Sequence, residues 1–236
     1  FGGAYQVTAG QGRIGQFTFL MLMFFLMIVG IIYVEQGQRR IPIQFAKRVR
    51  GRKVMGGQST YIPLKVNSAG VIPVIFATSI LFFPALVATS LPQDNSVTAA
   101  IRNWIDVNLA NSQGTTWFYI FFLGILIIFF TYFYTTIQFD PVRQSDMIRR
   151  QGGFVPGVRP GISTTNYLSH IINRITLPGS IFLASVAVLP SIASAIWDIP
   201  LGFSGISILI TVGVALETMK QIESQLSMRN YEGFID

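Results

Sequence analysis

Two stretches of the sequence concentrate its cationic side chains. Eight of the 17 Lys and Arg residues fall within residues 35–65, and five more fall within residues 140–174. "RRIPIQFAKRVRGRK" (39–53) alternates charged and apolar residues, which predicts a hairpin-like finger that turns near Gly51 or Gly56–Gly57. "RRQGGFVPGVRPG" (149–161) has four Gly and two Pro, which predicts a bent, exposed loop displaying Arg159. Such clusters attract a large acidic partner or RNA phosphates, or they serve only to fix topology and to bind anionic lipid.

Residues for covalent or metal chemistry are scarce. The sequence has no Cys, which excludes a thiolate metal site and a cysteine nucleophile. Its one His, His170, lies in the second cationic stretch, where a hydrogen-bonded loop histidine is the expected role. Zinc-ligand spacing, a P-loop and a Rossmann fingerprint are absent from the sequence. We therefore expect a protein that is not an enzyme and that holds no metal and no cofactor.

The elements that must position the cationic stretches are apolar. The chain is 51% hydrophobic and 11% charged, which is about half the charge of a typical soluble domain. A membrane span needs about 18 or more apolar residues, because the hydrocarbon core is ~30 Å thick. Runs of that kind without Asp, Glu, Lys, Arg or His occur at 14–34, 66–91, 115–139, 175–197 and 199–216. The sequence therefore predicts an all-α polytopic membrane protein with five transmembrane helices.

The connections between these runs alternate in charge. Residues 35–65 and 140–174 are strongly basic, whereas residues 92–114 and the single residue between the last two runs are not. The positive-inside rule places the two basic connections and the 217–236 tail in the cytoplasm and the N-terminus outside. Five spans require the two ends on opposite sides, and the charges agree with that parity. Because the chain begins with Phe1 rather than Met, we expect it to be a piece of a larger protein or a processed chain.

The second apolar run contains residues that weaken a membrane helix. "KVNSAGVIPVIFATSILFFP" (65–84) has Asn67 and Gly70 near its start and Pro73 and Pro84 farther along. Each proline would leave the carbonyl four residues earlier without its helical hydrogen bond. We therefore expect Pro73 and Pro84 to interrupt the helix that this run forms.

Several long motifs resemble those of the bacterial SecY protein-translocation channel family. They are "QRRIPIQFAKRV" (38–49), "GGQSTYIPLKVNSAGVIPVIFA" (56–77) and "GGFVPGVRPG" (152–161), and "LETMKQIESQLSMRNYEGF" (216–234) is similar to the family's C-terminal end. The segment "RQSDMIRRQ" (143–151) departs from the family's pattern. The resemblance covers essentially the whole chain. It implies one half of an inverted-repeat ten-helix channel, namely the second half with spans six to ten.

The resemblance also implies roles for individual residues. The second run matches the family's lateral gate, whose helix must tilt and bend between states. The gate residues implied are Asn67, at a polar gate position, together with Gly70, Pro73 and Ser79. Ile75 and Ile210 match the ring of apolar side chains that seals the pore at mid-membrane. Periodicity alone would favour a lipid-facing or packing role for either isoleucine.

The function implied by the resemblance is a conduit for unfolded polypeptides in the bacterial cytoplasmic membrane. Membrane segments would leave it sideways into lipid. Arg52 and Lys53 match the tip of the first basic loop, and Arg159 matches an important Arg of the second. These loops bind the SecA ATPase or the ribosome in the family. The other implied partners are the N-terminal half of the same channel, SecE, SecG, signal sequences, nascent polypeptide and anionic lipid.

Three other functions are compatible with parts of the sequence. Half of a solute transporter would require a polar substrate pocket at broken helices. A membrane enzyme, such as a lipid-modifying transferase, would require His, Asp or Glu clustered at one membrane face. An inert scaffold with lipid-binding loops would tolerate charge reversal at Arg159.

Overall fold

Helices dominate the structure. The computed structural model describes residues 14–45, 48–50, 53–55, 59–90, 96–109, 116–197 and 204–232. The helices are α1 (Ile14–Gln36), α2 (Ile72–Ser90), α3 (Ser96–Asn108), α4 (Trp117–Gln138), α5 (Pro141–Arg150), α6 (Ile162–Trp197) and α7 (Gly205–Glu232). Within the described residues, five helices are long and apolar enough to cross a membrane, namely α1, α2, α4, α6 and α7. The predicted helical membrane architecture with five spans is therefore confirmed.

The central helix of the bundle is α6. It packs against α1, α2, α4, α5 and α7. In its most apolar window 56% of the residues are buried, against 17% in α1 and in α7. The core around α6 is aliphatic and includes Ile31, Val74, Leu123, Leu183 and Leu209. The outer helices α1 and α7 thus keep most of their apolar surface free to contact lipid or another protein chain.

Helix α2 begins later than its apolar run. The run starts at residue 66, but residues 66–71 form bends and a turn, and the helix starts at Ile72. Gly70 has φ +65°, a left-handed conformation that glycine adopts without strain and that interrupts a right-handed helix. Pro73 is thus the second helical residue, where no backbone N–H donor is needed. The expectation that Pro73 interrupts the helix is wrong, and only Pro84 lies in the helix interior.

Helix α6 begins earlier than its apolar run. It starts at Ile162 rather than at residue 175, because Leu168, Ile171 and Ile172 bury one face of a segment that is otherwise polar. The histidine at position 170 consequently lies on the exposed side of a helix and not in a loop.

Helix α7 extends well past its apolar run. The run ends at residue 216, whereas the helix continues to Glu232. The tail residues Met219, Ile222 and Leu226 are exposed, so these side chains do not pack on the described residues of the basic stretches.

The first basic stretch folds as strands. They are β1 (Gln38–Phe45), β2 (Arg48–Arg50), β3 (Lys53–Met55) and β4 (Ser59–Lys65). β1 pairs antiparallel with β4 from Gln38↔Lys65 to Gln44↔Ser59, and β2 pairs antiparallel with β3. A short fifth strand, β5 (Gly153–Phe154), pairs with the other edge of β1. The alternation of apolar and charged residues therefore predicted the antiparallel finger correctly. The turn predicted near Gly51 or Gly56–Gly57 lies outside the described residues.

Helix α3 lies in the connection between the second and third spans. Its sequence, SVTAAIRNWIDVN, is amphipathic and too short to cross a membrane, since 13 residues extend only about 20 Å. Hydropathy had indicated only a connection there, because Arg102 and Asp106 interrupt the apolar residues.

Two glycines allow other parts of the chain to approach the central helix α6 closely. A Cβ at Gly179 of α6 would lie 2.7 Å from the carbonyl oxygen of Val66, and a Cβ at Gly205 of α7 would collide with the carbonyl oxygen of Val186. Carbon atoms cannot approach a carbonyl oxygen so closely without a backbone shift. Gly179 therefore fixes the distance between α6 and the residues that precede α2.

Replacing Gly179 by Ala should destabilise the protein. We expect a loss of about 1–3 kcal/mol in the free energy of unfolding, because the new methyl group must push α6 away from Val66. Gly124→Ala on α4 is the matched control, since no heavy atom lies within 4 Å of its added Cβ. The thermal unfolding midpoint of the intact protein in detergent reports both variants. Equal midpoints for the two variants would show that the contact with Val66 does not constrain the packing.

Candidate functional site

The two basic stretches form a single unit. β5 from the second stretch pairs with β1 from the first, with Gln44 opposite Phe154 and Phe45 opposite Gly153. Apolar side chains beneath the strands and helices α5 and α6 make one shared core, namely Ile41, Ile43, Leu64, Ile148, Val155, Leu168, Ile171 and Ile172. We call the unit of β1, β4, β5 and residues 151–161 the basic platform.

The loop that carries Arg159 is held in a defined conformation. The Thr164 hydroxyl donates to the carbonyl oxygen of Arg159 at 3.0 Å, and the Ser145 hydroxyl of α5 donates to that of Gly161 at 3.1 Å. Gly157 and Gly161 have φ values of +82° and +112°, which non-glycine residues rarely adopt. The backbone around Arg159 is thus fixed while the residue itself is exposed. Such an arrangement presents a cation to a partner at little further cost in conformational entropy.

The finger tip is only partly described. Arg52 lies outside the described residues, and Lys53 is described only as the first residue of β3. Lower on the finger, the Arg40 guanidinium lies over the Tyr61 ring, 4.7 Å from its centroid, and so one cation is held against an exposed aromatic face. The docking roles of Arg52 and Lys53 remain predictions.

The residues that lead into α2 are clamped from two sides. We call residues 66–71 the gate base, after the lateral-gate role that the resemblance implies for this segment. The Val66 N–H donates to the carbonyl oxygen of Gly37 at 3.0 Å, directly after α1, and Gly179 of α6 lies against Val66. Asn67 is only 5% exposed, and its Nδ2 donates to Glu35 Oε1 at 2.6 Å. The end of α1 and the start of the α2 segment are thereby joined by one backbone and one side-chain hydrogen bond.

Glu35 is a residue of this site that the sequence patterns did not identify. It is the first residue of the basic stretch 35–65. The sequence does contain a signal that Glu35 is unusual. It lies in the last turn of α1, where the negative end of the helix dipole repels a carboxylate. A residue placed unfavourably for its own helix indicates a specific partner, and Asn67, 32 positions away, is that partner.

Asn67 retains one unpaired polar atom. Within the described residues, its Oδ1 is buried and accepts no hydrogen bond. Because Nδ2 is the atom that donates to Glu35, the amide is oriented with Oδ1 available to another donor. A buried acceptor without a donor costs about 1–3 kcal/mol, so this atom favours association with a hydrogen-bond donor.

A cavity adjoins the gate base. It has a volume of about 310 Å³ and lies between the gate base, the ends of α1 and α4, and α7. Its charged lining residues are Glu35, Lys65, Glu217 and Lys220, and its α7 lining includes Ile210 and Gly213. The described residues contain no group of three His, Cys, Asp or Glu side chains that could hold a metal.

Ile75 and Ile210 lie at comparable depths. A Cβ at Gly213 of α7 would lie 4.0 Å from Val71 Cγ1, so the two segments meet there. As the second and fifth spans, α2 and α7 run in opposite directions. Ile75 follows Val71 by four residues and Ile210 precedes Gly213 by three, so they lie roughly 6 Å and roughly 4.5 Å from that contact on the same side. Ile75 is 43% exposed and Ile210 is half-buried, which leaves both isoleucines able to contact other groups.

Hydroxyl groups hydrogen-bond along the backbone of α2. The Ser79 hydroxyl donates to the carbonyl oxygen of Ile75 at 2.8 Å, and the Thr78 hydroxyl donates to the carbonyl oxygens of Val74 and Ile75 at 3.1 and 2.9 Å. Such bonds weaken the helical hydrogen bonds that they compete with, and they often accompany bends. Pro84 removes a further bond one turn later. Helix α2 is thus easier to bend than an uninterrupted aliphatic span.

The family model of SecY matches residues 1–219 of the chain. Protein translocase subunit SecY of Streptomyces scabiei is 50% identical over 226 residues, and that of Mycobacterium tuberculosis is 48% identical over 227. Each alignment covers 93% of this chain, and 49% and 51% of the relatives, respectively.

The fold is also similar to that of solved structures. One is described as "The structure of a protein conducting channel", with a TM-score of 0.54 and 17% identity over 86% of this chain and 48% of that chain. A second structure, of the SecY protein and its plug domain, gives a TM-score of 0.51 at 15% identity. The chain spans about half the length of the relatives that it matches and corresponds to their C-terminal half. On these matches and on its five-span architecture, the chain belongs to the SecY family.

Proposed function

We propose that this chain forms the C-terminal half of a protein-conducting channel, as spans six to ten of that channel. The channel passes unfolded secretory polypeptides across the bacterial cytoplasmic membrane and releases membrane segments sideways into lipid. The observation that carries the proposal is the direct connection between platform and gate. β4 ends at Lys65 and the gate base begins at Val66, so no linker separates the docking surface from the segment that leads into α2.

The orientation follows from the charges. The basic platform and the α7 tail lie in the cytoplasm, and the N-terminus of the chain lies outside. A cytoplasmic platform is accessible to a motor or a ribosome, and the clustered cations attract their acidic surfaces and phosphates. The SecA ATPase or translation supplies the energy.

Gate movement occurs about the gate base. Val66 and Asn67 are clamped to α1 and α6, whereas Gly70 takes a conformation free of side-chain restraint, with no heavy atom within 4 Å of a built Cβ. Helix α2 can therefore tilt about Gly70 while its root stays fixed. Pro73 rigidifies the first turn, and Ser79 with Pro84 allows bending farther along.

Ile75 and Ile210 contribute to an apolar constriction. A ring of such side chains resists ions, because a narrow apolar passage excludes water, yet it yields around a passing chain. Their similar depth and their partial exposure support this role. The remaining members of the ring come from the N-terminal half of the channel.

The partners proposed for this chain follow from its surfaces. The incompletely buried helices α1 and α7 contact the N-terminal half, SecE and SecG. The platform, through Arg159, and the finger tip, through Arg52 and Lys53, contact SecA, the ribosome and anionic lipid. Signal sequences and nascent polypeptide enter between the gate helix and the other half.

Charge reversal at Arg159 should stop motor-driven transport. We expect Arg159→Glu to lower the initial rate of precursor translocation at least about tenfold at subsaturating SecA, because juxtaposed like charges cost several kcal/mol. The assay uses this chain assembled with its N-terminal half and SecE in vesicles. Arg143→Glu is the matched control, since it makes the same charge change at an exposed position in the first turn of α5, where an acid is favourable.

Two outcomes would contradict parts of the proposal. Equal rates for wild type and Arg159→Glu would reject docking through Arg159 and would leave the platform as a lipid-binding scaffold. Assembled wild-type halves that move no precursor with SecA and SecE present would reject the channel function itself and direct the search to small solutes.

Removing the Glu35 carboxylate should loosen the gate base. Glu35→Ala leaves Asn67 Nδ2 unpaired at a cost of about 1–3 kcal/mol, whereas Glu35→Gln keeps an acceptor oxygen and should cost less. The chain has no Cys, so Ser68→Cys provides a reporter within the gate base. We expect maleimide to label it about tenfold faster in the Glu35→Ala background for each ~1.4 kcal/mol lost.

The control for this variant is Glu217→Ala, which removes an exposed carboxylate from the same cavity without touching Asn67. Labelling that rises equally in Glu35→Ala and Glu217→Ala would show that cavity charge, and not the hydrogen bond, holds the gate base.

A further inference from the structure

We infer that α3 is an interfacial helix whose exposed apolar side rests in the lipid of the membrane surface beside the start of α4. This inference goes beyond the proposed function and requires only that the five spans lie in a membrane. It names one partner, the acyl and glycerol region of the lipid, for a surface that the sequence indicated only as a connection.

Helix α3 has three distinct sides. At 100° per residue, Val97, Ile101 and Trp104 fall within about 60° of one another, and Val107 lies beside them. These four side chains are 68, 48, 53 and 57% exposed. A second side faces the protein and carries the partly buried residues Thr98, Arg102 and Ile105, and Leu109 just past the helix continues it. Asn108 ends the apolar side as a partly buried polar residue whose Nδ2 donates to the carbonyl oxygen of Trp104 at 2.9 Å. The third side is exposed and polar or small, with Ala99, Asn103 and Asp106.

A soluble loop helix would use only two of these sides. An amphipathic helix in water turns its apolar residues to the protein and its polar residues to solvent. In α3 the apolar side is separate from the protein-facing side, so one contiguous apolar strip stays uncovered by the described residues. A strip of this kind next to a polar strip is typical of a helix that lies in the plane of a membrane interface.

Aromatic contacts make the strip continuous with the outer surface of α4. The Trp104 and Phe118 rings meet edge to face with centroids 5.7 Å apart, and Phe118 stacks on Phe122 at 5.9 Å. Phe118, Phe121 and Phe122 are all exposed, while the opposite side of α4 carries the core residues Ile120 and Leu123. We assign lipid as the contact of this exposed side of α4, and the same lipid extends to Trp104.

The level of α3 in the membrane also follows from its contacts. The Thr116 hydroxyl donates to the carbonyl oxygen of Val107 at 3.0 Å, which places the end of α3 beside the first turn of α4. Trp104 is therefore close to the membrane-water boundary, where indole rings partition favourably. A 13-residue helix reaches about 20 Å, so α3 cannot cross the ~30 Å core.

The interaction is apolar rather than electrostatic. Arg102 and Asp106, one turn apart on α3, approach to 3.7 Å and leave the helix without net charge. Binding should therefore need no anionic lipid, in contrast to the basic platform. Because α3 also packs against α2, the interface holds the far end of the gate helix while the gate base holds its near end.

Site-directed spin labelling tests the inference in the complete channel. The chain has no Cys, so a nitroxide can be attached to Ile101→Cys on the apolar strip and, as the matched control, to Asn103→Cys on the polar side. The channel is reconstituted in vesicles of phosphatidylcholine, a zwitterionic lipid with no net charge. Collision rates with oxygen, which concentrates in lipid, and with a nickel chelate, which stays in water, are then compared.

The expected result is a ratio of oxygen to nickel collisions several-fold higher at position 101 than at position 103. Low collision rates with both reagents at position 101 would mean that a protein partner covers the strip and would overturn the inference. Equal ratios at the two positions would place α3 in water and would also overturn it. Val97→Cys, on the same strip one turn earlier, gives an independent second reading should labelling at position 101 disturb the fold.

Discussion

The hydrogen bond between Asn67 and Glu35 is the interaction on which the arrangement of residues 66–71 at the start of α2 depends. It joins the end of α1 to the start of the α2 segment at a point where the backbone is not helical. Non-helical backbone near a membrane core needs partners, because lipid supplies none. The Val66 N–H donates to the carbonyl oxygen of Gly37, and Asn67 Nδ2 donates to the Glu35 carboxylate. Because Gly179 has no side chain, the backbone of Val66 can pack directly against α6. These contacts allow an irregular segment to persist at the root of a membrane helix.

Because the end of α1 and the start of the α2 segment are joined in this way, the finger formed by β1 to β4 and the gate base are adjacent in the sequence. The register that begins at Gln38↔Lys65 holds the end of α1 and the start of the gate base at one strand spacing, ~4.8 Å. Any displacement of β4 is therefore transmitted to Val66 without an intervening loop that could absorb it. The second basic stretch shares in this coupling through β5 and the common apolar core around Ile43 and Val155. A force applied to either basic stretch is thus transmitted through β1 and β4 to Val66.

Sequence patterns predicted the features that depend on local chemistry. Five charge-free runs gave five membrane helices, and the alternation in residues 39–53 gave the finger. The Gly- and Pro-rich sequence around Arg159 predicted a bent loop, and Gly157 and Gly161 in that loop have positive φ. Helix α3 was missed because 13 residues with two charges fall below the length and apolarity that define a span. The early start of α6 was missed because its buried face consists of a few residues, such as Leu168 and Ile172, that matter only once the sheet is present. The role of Glu35 depends on a residue 32 positions away, which no local pattern encodes.

The chain is energetically incomplete by itself, and its unpaired groups indicate what completes it. Apolar side chains such as Phe25 on α1 and Val214 on α7 are exposed, and only part of that surface can face lipid in a channel half. The cavity beside the gate base is open, and the buried Asn67 Oδ1 accepts no hydrogen bond from the described residues. An apolar face alone could be satisfied by lipid, but lipid cannot donate a hydrogen bond to a buried amide oxygen. The surface beside the gate base therefore requires a polar group from water or from a second protein segment. Whether the donor on that group can reach Oδ1 then depends on the orientation that Glu35 imposes on Asn67.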